Sequence, residues 1–145
     1  MLNNKLDLKE FKINIQSDYD NVAKINQAVR NFLEQEGVES HILNAFEICI
    51  MEGVNNVIKH SYKSVTHKVI EVILKINSKI IEMQIIDYGE PRSSLEIKDL
   101  QFDPQDINNL PESGMGLFIM NQLMDELNYH SENGKNFFTL KKWLY

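Results

Sequence analysis

Glu52, Asn56 and His60 recur at intervals of four residues. On an α-helix that spacing aligns a carboxylate, an amide and an imidazole along one face, with about 40° of drift per step. These groups can accept protons and hydrogen bonds, so the face is either one wall of a site or a solvated surface. Asp87-Tyr88-Gly89 closes an otherwise apolar run. A carboxylate there is poised to accept a hydrogen bond at a site edge, and Gly89 permits close backbone approach or a positive φ; a plain strand-ending turn would read the same way. Ser113-Gly114-Met115-Gly116-Leu117 stands at the seam between an irregular segment and an amphipathic one. Two glycines at a helix start let several backbone N–H groups converge, which makes an anion cradle without basic side chains or simply a flexible capped start.

These residues need a scaffold, and the hydrophobic spacing supplies one. Phe11, Ile13 and Ile15 alternate with Lys12, Asn14 and Gln16, as in a strand with one buried face. Ser17 or Asp18 offers a helix cap, Val22, Ile25, Val29, Phe32 and Leu33 share a helical stripe, and Gly37 closes it. A second helix runs from near Ser40 toward His60. Its apolar stripe of Phe46, Ile50, Val54 and Ile58 lies about 200° from the Glu52 face. Ala45, Cys49 and Gly53 form a row of small residues on the same helix. Gly53 costs about 1 kcal/mol relative to alanine in a helix interior, so it asks for a packing or functional reason.

Ile70, Val72, Leu74 and Ile76 share one parity, Asn77-Ser78 reads as a tight turn, and Ile81, Met83 and Ile85 lead to Asp87, so an antiparallel hairpin is expected. Residues 88–113 break the regularity and contain all 3 prolines, Pro91, Pro104 and Pro111. A loop this long in a small domain reads as a functional lid or a disordered segment. Leu117, Met120, Leu123, Met124 and Leu127 then recur at helical spacing, and a last hairpin turns at Asn133-Gly134. The layout predicts one α+β domain over 1–145, a two-layer sandwich with helices on one face of a mixed, mainly antiparallel sheet.

Composition narrows the function classes. The chain carries 15 Lys+Arg against 21 Asp+Glu, a formal charge of −6, with Arg30 and Arg92 the only arginines. That balance argues against a nucleic-acid phosphate footprint. Cys49 is the single cysteine, which excludes an internal disulfide and a thiolate zinc site and points to a reducing compartment. No apolar run approaches the ~20 residues of a spanning helix, and Met1 to Lys5 do not open a signal peptide. A cytoplasmic protein that does not engage a membrane is the expectation.

Taken in order, Glu52-x-x-x-Asn56-x-x-x-His60-x-Tyr62, Asp87-x-Gly89 and Gly114-x-Gly116-Leu117 resemble the N, G1 and G2 boxes of the Bergerat-fold ATPases, the superfamily of histidine kinases and gyrase. Within it, the His60-Ser61-Tyr62 ending and the run from Ser113 to Asp125-Glu126 are most similar to the bacterial anti-sigma-factor serine/threonine kinases. The resemblance implies ATP and Mg²⁺ as cofactors. Asn56 would give its amide oxygen to the metal, Glu52 would orient and deprotonate a protein serine, and Asp87 would accept the adenine amino group with Gly89 letting the base approach. Residues 88–113 would form the ATP lid, and the backbone at Gly114, Met115, Gly116 and Leu117 would cradle the phosphates. His60 would either touch phosphate or order the helix end.

The resemblance also implies partners: an anti-sigma-factor antagonist protein as phosphoryl acceptor, a sigma factor, and a homodimer, although no exposed apolar stripe in the sequence demands the last. Departures from the pattern are Pro91 in place of a second glycine, Glu112 where relatives often carry a basic residue, and Asn136-Phe137 where they often carry threonine near the adenine. Glu112 favours an alternative: a regulatory module that holds nucleotide and sequesters a partner without phosphoryl transfer. A third reading has Glu52 activating water for hydrolysis.

Overall fold

The computed structural model describes residues 8–92 and 115–144. Most of the expected lid, with Gly114, lies outside them. The described elements keep the sequence order: β1 (Lys9–Gln16), a 3₁₀ turn (Tyr19–Asn21), α1 (Val22–Gln35), α2 (Ser40–Asn56) running into a π turn (Val57–Ser61), β2 (Val69–Ile76), β3 (Ile80–Asp87), α3 (Met115–Leu123), β4 (Glu126–Glu132) and β5 (Lys135–Trp143). The strands form one five-stranded sheet in the order β1-β2-β3-β5-β4. Every neighbouring pair is antiparallel. The sheet therefore shows the antiparallel pairing expected, with β5 inserted between β3 and β4.

The alternation in β1, β2 and β3 does what its period requires. Ile70, Val72 and Leu74 of β2, Ile81, Met83 and Ile85 of β3, and Phe138 and Leu140 of β5 point to one face and are buried there. Register keeps them level, with Leu74 opposite Met83 and Met83 opposite Leu140. The three described helices cover this face. Ile25, Val29 and Leu33 of α1 and Phe46, Ile50, Val54 and Ile58 of α2 and its π turn complete the core, and Phe32 stacks on Phe11 with ring centroids 5.2 Å apart.

Local chemistry sets the boundaries. Asp18 caps the 3₁₀ turn by accepting from the Asp20 N–H at 3.0 Å, whereas Ser17 is fully buried and ties the end of β1 to the approach to β2 through Val65 O and Lys68 N. At the end of α1, Gly37 has φ +78°, with Val38 N–H to Leu33 O and Gly37 N–H to Glu34 O, a Schellman closure. Asn77 Oδ1 accepts from the N–H groups of Lys79 and Ile80 and so closes the β2–β3 turn. Asn133 and Gly134 both take positive φ, as the two-residue hairpin turn demands.

The sequence pattern overruns in one place. Leu127 continues the helical spacing of Leu117, Met120 and Leu123, yet it lies in β4 opposite Leu140. A helical step of four also preserves strand parity, so Leu127 shares its face with Tyr129 and Ser131 and serves the sheet equally well.

Candidate active site

Gly53 explains how α2 comes to carry a site. A Cβ at this position would stand 2.6 Å from Ile85 Cδ1 and 3.9 Å from Met120 Sδ, so the missing side chain lets the helix settle between β3 and α3. Cys49 and Ala45, one and two turns earlier, are likewise buried. The small-residue row is thus a packing seam. Burial also pushes the Cys49 thiol up to about 12, which leaves it protonated and inert.

Close packing at Gly53 brings Asn56 to a small cavity shared with Asp87, Arg92, Met120 and Phe138. Glu52 sits one turn away against the start of α3. A Cβ on Gly116 would lie 2.6 Å from Glu52 Oε2, so this glycine opens the space the carboxylate occupies. Met115 is the first residue of α3, and Leu117 is buried in the core, leaving only its backbone free for a ligand.

After Asn56 the helix widens into the π turn, closed by the Tyr62 N–H donating to Val57 O at 3.0 Å. Such turns shift the helical phase of the residues beyond them. His60 is consequently exposed and does not line the cavity with Asn56 and Asp87. Partial desolvation holds its imidazole below the usual histidine pKa, assisted by the positive charges of Arg92 and Lys59.

The π turn has a second consequence. It delivers Ser61 and Tyr62 to the end of β3, where the Tyr62 hydroxyl donates to Val69 O and accepts from the Tyr88 N–H at 2.8 Å. Glu90 N–H donates to Ser61 O at 2.9 Å. A Cβ on Gly89 would fall 2.4 Å from that same carbonyl oxygen. Gly89 does not take a positive φ; of the two roles read from sequence, close backbone approach is the one it serves, toward Ser61. Because the obstacle is backbone and cannot swing away, Gly89→Ala is expected to destabilise the domain by about 1–3 kcal/mol, read as a lower midpoint in urea.

Asp87 is 2% exposed and faces the helical layer opposite Asn136. Its Oδ1 accepts from the Gly89 N–H at 2.9 Å and from Asn136 Nδ2 at 2.7 Å. Burial raises the carboxyl above its ordinary pKa, and the hydrogen bonds from Asn136, Gly89 and Ser61 pull it back down. A nearly buried carboxylate held this way is an acceptor for a donor on a ligand.

The cavity has a volume of about 20 Å³, which is room for about one water molecule. One constriction is a strap: the Arg92 N–H donates to the Tyr129 hydroxyl at 2.7 Å. An oxygen donor for a hard cation is present in the Asn56 amide. Among the described residues no group of three or more His, Cys, Asp or Glu could hold a metal ion. A divalent ion would therefore need phosphate oxygens and water to complete its shell, and this donor fits one that arrives with a nucleotide.

Sequence reasoning placed Glu52, Asn56, Asp87, Gly89 and Gly116 in this region, quoted Tyr62 as a motif end and Asn136 as a departure near the adenine without giving either a role, and did not single out Ser131 or the Arg92–Tyr129 contact. The role of Asn136 carried a signal only through register, because nothing local says that it pairs with Asp87 on the neighbouring strand.

Three described helices on one face of an open antiparallel sheet, with a cavity between α2, α3 and one end of the sheet, define a two-layer α+β domain. The chain belongs to the histidine kinase-like ATPase domain family, whose model matches residues 15–142. It is similar to the serine-protein kinase RsbW of Bacillus mycoides (strain KBAB4), 27% identical over 134 residues that take in 90% of this chain and 81% of that protein. It is similar also to serine-protein kinase RsbW of Staphylococcus aureus (strain bovine RF122 / ET3-1), 27% identical over 138 residues covering 92% and 85%. Two solved structures share the fold. The RsbU and RsbW domains of Rv1364c from Mycobacterium tuberculosis superpose with a TM-score of 0.66 at 17% identity, covering 92% of this chain, which spans 31% of that one. The SiaB-SiaC complex from Pseudomonas aeruginosa gives 0.63 at 17% identity, covering 97% of this chain and 91% of that one.

Proposed function

We propose that this protein is an ATP- and Mg²⁺-dependent serine/threonine protein kinase that phosphorylates an anti-sigma-factor antagonist and thereby controls a sigma factor. The observation that carries the reading is the cavity that Asn56 and Asp87 share at the seam of α2, β3 and α3, with the Glu52 carboxylate one helical turn from Asn56 against Gly116. Similarity to serine-protein kinases along nine-tenths of the chain supports the same reaction.

Each residue has a task in it. Asp87 accepts the 6-amino group of adenine. Asn56 offers its amide oxygen to Mg²⁺, which when bound neutralises charge on the phosphates. Backbone N–H groups of Met115, Gly116 and Leu117 at the start of α3 would donate to phosphate oxygens, and the resemblance adds Gly114, outside the described residues, to the same cradle. Glu52 aligns the acceptor hydroxyl and takes its proton as the oxygen attacks the γ-phosphorus, the bond to the β-phosphate oxygen breaks, and ADP leaves. Arg92 lines the cavity with Asn56 and Asp87 and adds positive charge there.

Sigma-factor binding, a homodimer and a cytoplasmic location belong to this reading on the strength of the resemblance. No helix among the described residues is long and apolar enough to cross a membrane. The test is incubation with γ-labelled ATP, Mg²⁺ and an antagonist domain encoded nearby. Label on a serine or threonine of the antagonist is the expected result. Nucleotide binding without label would favour a partner-sequestering module, and release of labelled phosphate to water would favour hydrolysis.

A further inference from the structure

Three neighbouring strands place Asp87, Asn136 and Ser131 in one transverse row: Asp87 of β3 stands opposite Asn136 of β5, and Asn136 stands opposite Ser131 of β4. All three project to the helix-covered face, and Asn136 is 2% exposed. Its Nδ2 donates to Asp87 Oδ1 at 2.7 Å and to the Gly89 carbonyl at 3.0 Å. The Ser131 hydroxyl donates to Asn136 Oδ1 at 2.6 Å. The Gly89 carbonyl can only accept, so the amide has one permitted orientation, and Ser131 satisfies the end that remains.

The row fixes what an incoming ligand meets. Oδ1 of Asp87 already receives two N–H groups, from Asn136 and Gly89, and the Ser61 side chain also donates to this carboxyl, so a further donor is directed to Oδ2. An ionised carboxylate accepts only, whereas a protonated one can donate. A 6-amino purine brings a donor to this oxygen, and a 6-oxo purine brings an acceptor that an ionised Asp87 repels.

We infer that Asn136, oriented by Ser131, is a positioning residue that makes the site select 6-amino over 6-oxo purine nucleotides by holding Asp87 in one rotamer as a pure acceptor. The inference rests on the adenine-nucleotide reading above. Donation from Asn136 also opposes the upward pull of burial on the Asp87 carboxyl. Among the described residues, the ionisable side chains around that carboxyl are Tyr62 beyond the π turn, Arg92 from the strap and Tyr129 from β4; α3 presents Met120 and β5 presents Phe138. Ser61 adds a hydroxyl donor to the same carboxyl, but Asn136 alone ties it across the strands to a fixed amide held by Ser131 and the Gly89 carbonyl.

The test is binding of ATP, GTP and purine riboside triphosphate, which lacks the 6-amino group, to the full chain with Mg²⁺. Wild type is expected to prefer ATP over both. Asn136→Leu, of similar size, should weaken ATP roughly 10- to 100-fold, the worth of hydrogen bonds to a charged group, while the other two change by less than about threefold. The preference then collapses. Ser131→Ala, at an exposed position on the edge strand, keeps the fold and should reduce the ATP-to-GTP ratio by a smaller factor, about 3 to 10. A merely structural role would weaken all three nucleotides equally in Asn136→Leu and leave the ratio unchanged in Ser131→Ala, and that result overturns the inference. Wild type binding ATP and GTP alike overturns it too, with the nucleotide site standing. No binding of any of the three sinks the proposed function itself.

Discussion

Glu52→Gln lowers phosphoryl transfer to the antagonist by at least ~100-fold while leaving the dissociation constant for ATP within about threefold of wild type. The amide keeps the size of the side chain, so the gap that Gly116 opens beside Oε2 remains filled. What is lost is the negative charge that takes the hydroxyl proton. Removing a general base costs roughly 10²–10⁴ in rate, and the effect belongs to the chemical step, because Glu52 is not asked to hold the base or the metal. Single-turnover transfer measured beside equilibrium binding separates the two. A variant that transfers at the wild-type rate removes Glu52 from the mechanism.

Asp87→Asn divides stability from function in the opposite sense to most buried substitutions. The folded protein raises the Asp87 pKa, so it binds that proton more readily than the unfolded chain does. The corresponding stability is present below the unfolded value and is lost as pH rises through the folded one, which leaves the ionised carboxylate a net cost at neutral pH. An asparagine removes the cost and can still accept from Gly89 and Asn136 through its oxygen. Thermal unfolding at pH 7 is therefore expected at the wild-type temperature or above. ATP affinity should fall by roughly 100-fold, because the new amide turns N–H groups toward the 6-amino group and leaves two donors facing each other. In the wild type, ATP affinity weakens as pH falls through the raised Asp87 pKa, while the contribution of this group to stability grows. An Asp87→Asn protein that unfolds early and still binds ATP contradicts both expectations.

The division between what is readable in the sequence and what is not comes from range. Strand alternation at Ile70 to Ile76, the apolar stripe through Phe46 and Ile58, and the Asn133-Gly134 turn are local signals, and each element forms where its period requires. Gly53 is legible as an anomaly whose reason, Ile85 pressed against it, lies on another element. His60 is placed by extrapolation along an ideal helix, but the π turn after Asn56 shifts it, and that turn is made worthwhile by Tyr62 and Ser61 reaching the end of β3. Gly89 announces a close approach without naming its partner, the Ser61 backbone. Asn136 stands out in the sequence only as a departure from the motif and Ser131 not at all, since their roles come from hydrogen bonds between strands, to partners 49 and 5 residues away in sequence.

Charge completes the picture. A chain at −6 is an unpromising host for a triphosphate, and the described residues place Arg92 alone among lysines and arginines on the cavity wall. On the proposed reading, affinity would come from Mg²⁺ held by Asn56 and from N–H groups at the start of α3. Calorimetric titration of ATP into the full chain, with Mg²⁺ and again with EDTA, tests that most directly. Binding is predicted to weaken at least ~10-fold on chelation, with a similar loss for Asn56→Ala in the presence of Mg²⁺. Equal affinity with and without Mg²⁺, or no binding in either buffer, would contradict this mode of holding the nucleotide.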